Sequence, residues 1–215
     1  MIFRSASLAA HRPGVERGIR IGLNLAGAAG AAYFARATLE YYLQTRRLIG
    51  AAFFAEQMWF VIAFLVRRPA RASSARLRDW VLAFAGTFGG VLLRPAGLHR
   101  PCGVAAGLGL QLGGLAICVA SLAALGRSFG FVAADRGLVT RGPYRIVRHP
   151  VYAAYVVIQA GYVLQSVSAR NIVIVIVATG CNIGRALAEE RLLATSAGYA
   201  AYRARVRWRL FPGLW

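Results

Sequence analysis

The sequence predicts an all-α fold, a polytopic membrane helix bundle of five to six transmembrane helices. The chain is 58% hydrophobic over 215 residues, and its mean hydropathy is +0.54. These values place it in the membrane class and not among water-soluble domains. All seven prolines lie outside the long apolar runs or at their ends. Because a proline costs about 3 kcal/mol inside a helix, this placement agrees with helical runs.

The apolar runs set the number of crossings, since a helix needs about 20 residues to cross the hydrocarbon. The runs lie at Ile19–Ala35, Leu48–Val66, Trp80–Leu93, Gly103–Leu125, Val151–Val167 and Ile172–Ala188. The third is short, and the sixth is purely apolar only to Cys181. Residues 151–188 therefore form either two full spans or one helical hairpin that turns at residues 168–171.

Arginine placement predicts the topology, because cytoplasmic loops carry an excess of basic residues. All 26 basic residues are arginines. With six crossings and a cytoplasmic N-terminus, the inner segments hold Arg4, Arg12, Arg17, Arg20, Arg67, Arg68, Arg71, Arg76, Arg78, Arg127, Arg136, Arg141, Arg145, Arg148, Arg185, Arg191, Arg203, Arg205, Arg207 and Arg209. The outer segments hold only Arg46, Arg47, Arg94, Arg100 and Arg170. We therefore expect a multi-pass protein of the inner (cytoplasmic) membrane with both termini in the cytoplasm.

Two features of the N-terminal half have more than one interpretation. Residues 1–35 could be a cleaved leader, but cleavage would remove the first crossing and reverse the arginine bias, so a retained helix is favoured. Arg36 stays in this helix, four residues before Glu40, where an ion pair can shelter it. Glu56, in the middle of the second run, either marks a functional site or holds helices together through a hydrogen bond.

Composition excludes two other classes of site. A net charge of +19 is typical of nucleic-acid-binding proteins. Here, however, the arginines fall between apolar runs and form no separate basic domain or module. Cys102, Cys118 and Cys181 are scattered, and none stands at metal-ligand spacing from a histidine or another cysteine. We therefore expect no nucleic-acid partner and no metal site.

Glycines in the apolar runs stand at small-xxx-small spacing, which lets helices approach closely. The pairs are Gly86 and Gly90, Gly103 and Gly107, and Gly109 and Gly113. Packing within the bundle is the favoured use, ahead of dimerisation. The oligomeric state is not predicted.

A polar segment between the fourth and fifth runs concentrates the chemistry. Gly142-Pro143 predicts a turn, and Pro150 suits the first position of a helix, with His149 at or beside its N-cap. Backbone N–H groups at a helix start favour an anion such as a carboxylate, and Arg145 and Arg148 strengthen that preference.

A second polar group ends the sixth run and should lie near the first. Arg185 and Glu189 share one helix face at i,i+4 spacing, whereas Glu190 is rotated by about 100°. Because residues 151–188 return the chain to the cytoplasmic side, Arg185, Glu189 and Glu190 should end close to Arg148 and His149. Tyr144, Tyr152, Tyr199 and Tyr202 can line the resulting mixed-charge pocket. The residues alone also allow a structural interpretation instead of a functional pocket. In it, the arginines and glutamates form ion pairs at the membrane interface, and the tyrosines form a belt there.

Two blocks of sequence contain these polar residues in a definite order. The first is Leu138-Val139-Thr140-x-Gly142-Pro143-Tyr144-Arg145-x-x-Arg148-His149-Pro150-x-Tyr152. The second is Arg185-x-x-x-Glu189-Glu190-x-x-Leu193, followed by Gly198-Tyr199-x-x-Tyr202-x-x-x-Val206 and Pro212. Together they resemble the isoprenylcysteine carboxyl methyltransferase family and its bacterial relatives. The resemblance covers about residues 103–215 and implies a division into N-terminal transmembrane helices at 1–100 and a methyltransferase core at 101–215. Ala154 departs from the family, which usually has a glycine there.

The resemblance implies an integral membrane methyltransferase with a cytoplasmic pocket for S-adenosylmethionine, closed by the C-terminal segment. The cofactor-binding residues it implies are Val139, Thr140, Gly142, Tyr144, Arg148, His149, Tyr152 and Glu189. Arg185 and Glu190 match the catalytic arginine and glutamate of the family. In such a pocket, cationic groups suit the cofactor's carboxylate, a glutamate its ammonium group, and tyrosine faces its sulfonium.

The acceptor is expected to be a lipophilic molecule or lipid that enters from the bilayer. Carboxyl O-methylation of an isoprenoid or prenyl-thioether acid is the family-like reaction, and phospholipid N-methylation or small-thiol S-methylation are the alternatives. A carboxylate acceptor needs no general base, whereas an amine or thiol must lose a proton. A small membrane transporter is the alternative from another class. It is disfavoured because the polar cluster lies at the membrane boundary and no inverted repeat is evident.

Overall fold

The structure is a computed structural model that describes residues 13–46, 48–70, 72–94 and 101–215. The described residues form seven α-helices and one two-stranded antiparallel sheet. The helices are α1 (Pro13–Thr45), α2 (Leu48–Val66), α3 (Leu77–Phe88), α4 (Pro101–Leu125), α5 (Pro150–Gln165), α6 (Ala169–Leu193) and α7 (Tyr199–Arg205). The strands are β1 (Ala72–Ser73) and β2 (Ala134–Asp135). The predicted all-α bundle is confirmed.

Three helices are long and apolar enough to cross a membrane within the described ranges. They correspond to Ile49–Val66, Cys102–Ser128 and Ala169–Leu193. At about 1.5 Å per residue, α5 with its 16 residues is about 24 Å long, short of the roughly 30 Å hydrocarbon core. Helix α3 is shorter still, with 12 residues. Six full crossings therefore stay a prediction, and Arg4, Arg12, Arg47, Arg71 and Arg100, which entered the topology argument, lie outside the described residues.

The turn between α5 and α6 lies earlier than predicted. Helix α5 ends at Gln165, and Ser168 caps α6 by accepting a hydrogen bond from the Asn171 backbone N–H at 3.1 Å. Residues 169–171, expected in the turn, therefore belong to the first turn of α6. The capping serine satisfies one of the N–H groups that a helix start leaves free.

The helices pack as antiparallel pairs, α1 with α2, α3 with α6 and α4 with α5. The α4–α5 interface is the most extensive, and it is closest where Gly107 faces Gly161. Ala154 is fully buried at the same interface, and its carbonyl oxygen lies close to Gly114. Bundle packing is thus confirmed for Gly107, as well as for Gly86, which contacts Asn182 of α6. The same prediction is wrong for Gly109 and Gly113, because no atom of a neighbouring helix among the described residues lies within 4 Å of a methyl group placed on either glycine.

Glu56 links α2 to α4. Its side chain is buried and accepts a hydrogen bond from the Cys118 thiol, at 3.2 Å between Sγ and Oε1. This contact agrees with the helix-pinning interpretation, because a buried polar group in the apolar interior needs a partner.

At one end of the bundle, short polar contacts join the helix ends to the loop between α4 and α5. Strands β1 and β2 pair Ala72 with Asp135 and Ser73 with Ala134. Arg191 near the end of α6 binds Asp79 of α3 at 3.1 Å. Ser196, just after α6, donates a hydrogen bond from its Oγ to Asp135 Oδ2 at 2.6 Å. The loop is thereby tied to segments on both sides, and it forms one wall of the pocket described next.

We predict that Gly161→Ala destabilises the bundle by about 1–3 kcal/mol, the usual cost of overpacking. A methyl group there would lie 2.5 Å from the Gly107 carbonyl oxygen and 3.0 Å from the Gln111 backbone nitrogen, and neither backbone atom can move cheaply. The measurement is the thermal unfolding midpoint of the purified protein in detergent. Gly109→Ala, which meets nothing within 4 Å, is the matched control and should not lower the midpoint. Equal midpoints for the two variants would contradict the described interface.

Candidate functional site

A pocket opens at the end of the bundle where α4 ends and α5 begins. Its volume is about 110 Å³, room for several water molecules at roughly 10–15 Å³ each and hence for part of an organic ligand. Its lining residues are Leu122, Leu125, Ser128, Phe129, Gly130, Val132, Ala134, Arg136, Gly137, Leu138, Val139, Tyr144, Arg148, His149, Val151, Tyr152, Tyr155, Arg185, Glu189, Leu193, Tyr199 and Tyr202. The pocket therefore joins charged groups to an apolar wall.

The local conformation of the first sequence block follows the prediction. Residues Gly142–Arg145 form a 3-10 turn, and His149 is the N-cap of α5, with Pro150 in its first turn. Gly142 has a φ of +59°, a conformation that favours glycine, and a methyl group on it would lie 3.2 Å from the Ala124 side chain. Gly142 therefore lets the loop pass close to the end of α4.

Glu190 is the centre of a buried ion cluster. Its carboxylate lies 3.2 Å from Arg148 Nε, 3.2 Å from Arg209 Nε and 3.3 Å from His149 Nε2. Only 9% of Glu190 and 6% of Arg148 is exposed. A buried carboxylate without cationic partners is costly. This cluster therefore fixes the relative positions of the loop between α4 and α5, helix α6, and the C-terminal segment (residues 199–215).

Glu189 has a different environment from its neighbour. It accepts a short hydrogen bond from the Tyr152 hydroxyl, and its second oxygen lies 3.7 Å from His149 Nδ1. Glu189 lines the pocket, whereas Glu190 does not. The predicted rotation between the two carboxylates is confirmed, and His149 lies between them.

The C-terminal segment closes one side of the pocket. The backbone N–H groups of Arg148 and His149 donate to the carbonyls of Trp208 and Arg209, at 2.9 and 2.8 Å. The Tyr202 hydroxyl donates to the Tyr144 carbonyl at 2.8 Å. Burial raises the pKa of Tyr202 to about 12, so this hydroxyl keeps its proton at neutral pH and stays a donor.

Arg185 is held from three sides. Its Nη2 donates to the Phe131 carbonyl at 2.8 Å, and its Nη1 donates to Thr87 Oγ1 at 3.0 Å and to Asn182 Oδ1 at 3.3 Å. The guanidinium lies 5.0 Å from the centre of the Tyr152 ring, within cation–π range. Its Nε is buried and has no hydrogen-bond partner within the described part of the chain. The arginine is therefore rigidly placed at the pocket and keeps one donor available.

Of the ten predicted site residues, seven line the pocket, namely Val139, Tyr144, Arg148, His149, Tyr152, Arg185 and Glu189. Thr140, Gly142 and Glu190 do not. The sequence interpretation missed Arg136, Tyr155 and Phe131, as well as Arg209 and Asn182. Tyr155 follows Tyr152 at i+3, a spacing that could have pointed to it. Asn182 precedes Arg185 by the same spacing on α6. Arg136, Phe131 and Arg209 instead act through contacts between distant segments, for which the sequence carries no local signal.

The site and the fold together define a class, a membrane helix bundle with a mixed-charge pocket at its boundary. Residues 102–199 match the family model of phospholipid methyltransferases. The match spans both charged blocks as far as Tyr199 but somewhat less than half of the chain. No curated protein matches the chain.

The match indicates a membrane methyltransferase, as the sequence predicted. Phospholipid methyltransferases belong to the same wider group of membrane methyltransferases as the isoprenylcysteine carboxyl methyltransferases. Membership of the latter family in particular stays a prediction. The methyl acceptor is likewise not resolved by the match, so it is treated below as a proposal.

We predict that Glu190→Gln destabilises the protein by about 3–5 kcal/mol, since it leaves Arg148 and Arg209 without their buried counter-charge. The readouts are the thermal midpoint in detergent and the rate of tryptic cleavage among the arginines at 203–209. Both should show release of the C-terminal segment. Glu40→Gln removes the same charge from an exposed pair with Arg36 and serves as the control. If the two variants behave alike, Glu190 does not hold the segment.

Proposed function

We propose that this chain is an integral membrane S-adenosylmethionine-dependent methyltransferase acting on a lipophilic acceptor. The observation that carries the proposal is the pocket itself, where residues of both sequence blocks meet beside an apolar wall. The methyltransferase family match supports it. Methyl transfer between two bound partners depends mainly on their placement and on exclusion of water, and a fixed, half-apolar pocket can supply both.

The residues present fit the cofactor. Tyr199 Oη is buried, belongs to a lining residue and has no hydrogen-bond partner within the described ranges. Buried donors of this kind call for an acceptor such as a carboxylate. Arg148 and His149 would bind the carboxylate end, Glu189 the ammonium group, and Tyr144 and Tyr152 would flank the sulfonium. When bound, S-adenosylmethionine supplies an electrophilic methyl group.

Val139, Thr140 and Gly142 are proposed to shape the same cofactor site. Val139 lines the pocket directly. Gly142 would act through the loop position that its backbone permits, next to Ala124. For Thr140, the resemblance alone supports a cofactor contact.

The proposed roles of the charged residues differ. Arg185, held by Phe131, Thr87 and Asn182, would orient the acceptor. Glu190, predicted as catalytic from the resemblance, would act by holding Arg148 and His149 in place. Glu189 faces the pocket and is the carboxylate that could accept a proton from an amine or thiol acceptor.

Two acceptor classes are proposed, each with its own support. Carboxyl O-methylation of an isoprenoid or prenyl-thioether acid follows from the motif resemblance and needs no base. Phospholipid N-methylation is supported by the family match at 102–199. Either acceptor would enter laterally along the apolar wall, which includes Leu122 and Leu125 of α4.

We also propose that the pocket faces the cytoplasm in the inner membrane. Arg67, Arg68 and Arg127 lie at the same end of the bundle as the pocket, since Arg127 Nε donates to the Val66 carbonyl and the Arg68 N–H to the Arg127 carbonyl. The positive-inside rule assigns such an arginine-rich end to the cytoplasm. Both termini would then be cytoplasmic.

We predict saturable binding of S-adenosylmethionine to the detergent-solubilised protein, measured by calorimetry. Glu189→Gln should weaken this binding about tenfold, because a hydrogen bond to a charged group contributes roughly 1.5–3 kcal/mol. Glu40→Gln is the control, since it removes an exposed carboxylate on α1. Absence of saturable binding by the wild type would refute the proposed cofactor.

We predict that the protein transfers labelled methyl from S-adenosylmethionine into a lipid extract. The chemistry of the product separates the two acceptor classes, because a methyl ester releases its label as methanol in mild alkali whereas an N-methyl group does not. If the acceptor is an amine, Glu189→Gln should reduce turnover far more than if it is a carboxylate. Label found only in water-soluble thiols would refute the lipophilic acceptor.

A further inference from the structure

Arg136 is a pocket residue without an assigned role. It follows β2 directly, and its backbone carbonyl accepts a hydrogen bond from Ser128 Oγ at 3.2 Å. Its Nε donates to the Arg68 carbonyl, just beyond the end of α2, at 3.1 Å. The side chain is therefore anchored at the membrane boundary by both its backbone and its Nε.

The far end of the same side chain is buried but unpartnered. Arg136 Nη1 has no hydrogen-bond partner within the described chain, although the residue lines the pocket. A methyl group on Gly130 would lie 2.5 Å from this Nη1. The glycine thus provides the space that the guanidinium occupies. A buried donor left free in a cavity is costly unless a ligand satisfies it.

The surroundings of Arg136 favour an anion. Burial and the charge of Arg136 together lower the pKa of Arg67 to about 10, which places two guanidinium groups close enough to repel each other. Arg67 is already bound to Asn24 Oδ1 at 2.6 Å, a neutral partner. Burial also lowers the pKa of Arg136, an effect that the negative charge of Glu189 offsets only in part. An arginine side chain nevertheless keeps its charge at neutral pH. An incoming negative group would relieve this repulsion.

The neighbours of Arg136 also indicate which ligand it serves. Phe129, close by in the loop, packs on Phe60 and Phe64 of α2 with ring centres 5.4 and 5.3 Å apart. The wall beside Arg136 is therefore continuous with the apolar core of the spanning helices. The His149 and Arg148 side of the pocket is instead tied to the C-terminal segment. A chain lying on the apolar wall would bring a polar head to Arg136.

We propose that Arg136 and the space left by Gly130 form a site for a negatively charged oxygen of the acceptor. This inference rests on the proposed function and narrows its substrate class to amphiphiles that carry an anionic group. The group bound is a phosphodiester or a carboxylate close to the atom that receives the methyl group. Guanidinium suits either group, because it presents parallel N–H donors to two oxygens.

The test is binding without methyl transfer, in a neutral detergent. The ligands are a short-chain phosphatidylethanolamine, a C15 isoprenoid carboxylic acid, the matching uncharged C15 alcohol, and S-adenosylmethionine. Arg136→Gln should raise the dissociation constant of whichever of the first two ligands the wild type binds roughly 10- to 100-fold, the range for a lost hydrogen bond to a charged group. Binding of the alcohol and of S-adenosylmethionine should change less than about threefold.

Two further variants sharpen the experiment. Gly130→Ala should weaken binding of the anionic group in the same way, because the atom closest to the added methyl group is Arg136 Nη1 at 2.5 Å, ahead of the Val132 carbonyl oxygen at 3.3 Å. Arg127→Gln is the matched control. It removes an exposed arginine whose Nε also donates to a carbonyl of this region, that of Val66, but which does not line the pocket.

Each outcome is decisive. The amphiphile whose binding depends on Arg136 identifies the anionic group as phosphodiester or carboxylate. Unchanged binding in Arg136→Gln, equal losses for the alcohol, failure of the wild type to bind either the phosphatidylethanolamine or the isoprenoid acid, or a loss confined to S-adenosylmethionine would overturn the inference. Arg136-dependent binding without any methyl transfer by the wild type would refute the proposed function but leave this site standing. If Arg136→Gln binds the acceptor normally and still transfers methyl groups to it, the proposed function stands and the Arg136 site is refuted.

Discussion

The pocket depends on the ion cluster around Glu190. Arg148, Glu190 and Arg209 come from three segments that are far apart in sequence, and the carboxylate is their common partner. Since each charge is wholly or largely buried, none can be left without the others at low cost. The hydrogen bonds from the Arg148 and His149 backbones to the C-terminal segment also fix how these two segments are oriented relative to each other. Together they place His149 and the start of α5 where Glu189 can reach them.

The ion cluster explains why the adjacent residues Glu189 and Glu190 have different contacts. On a helix, consecutive residues are rotated by about 100°, so Glu190 faces the C-terminal segment while Glu189 faces Tyr152 and the pocket. The buried ion cluster and the lining of the pocket thereby use separate side chains one residue apart. His149 contacts both carboxylates. A change at either glutamate is therefore expected to reach the other through the imidazole.

Much of this arrangement could be predicted from sequence, since its signals are local. Apolar runs indicated the helices, Pro150 indicated the start of α5, and the i,i+4 spacing placed Arg185 and Glu189 together. The turn before α6 was misplaced by a few residues, because Ser168 is a helix cap and the sequence could not distinguish a capping serine from a loop serine. Gly109 and Gly113 share the spacing of true contact glycines but face open space, because spacing does not specify which helix face is covered.

What the sequence could not provide was the contribution of the N-terminal half to the site. The predicted division at 100/101 separates transmembrane helices from a methyltransferase core, yet contacts of the pocket cross it. Thr87 of α3 binds Arg185, and the carbonyl of Arg68 anchors Arg136. These partners are a hydroxyl and a backbone oxygen, which leave no motif in a sequence. The N-terminal helices therefore do more than anchor the chain in the bilayer, because they fix the direction of Arg136 and Arg185, two of the three arginines that line the pocket.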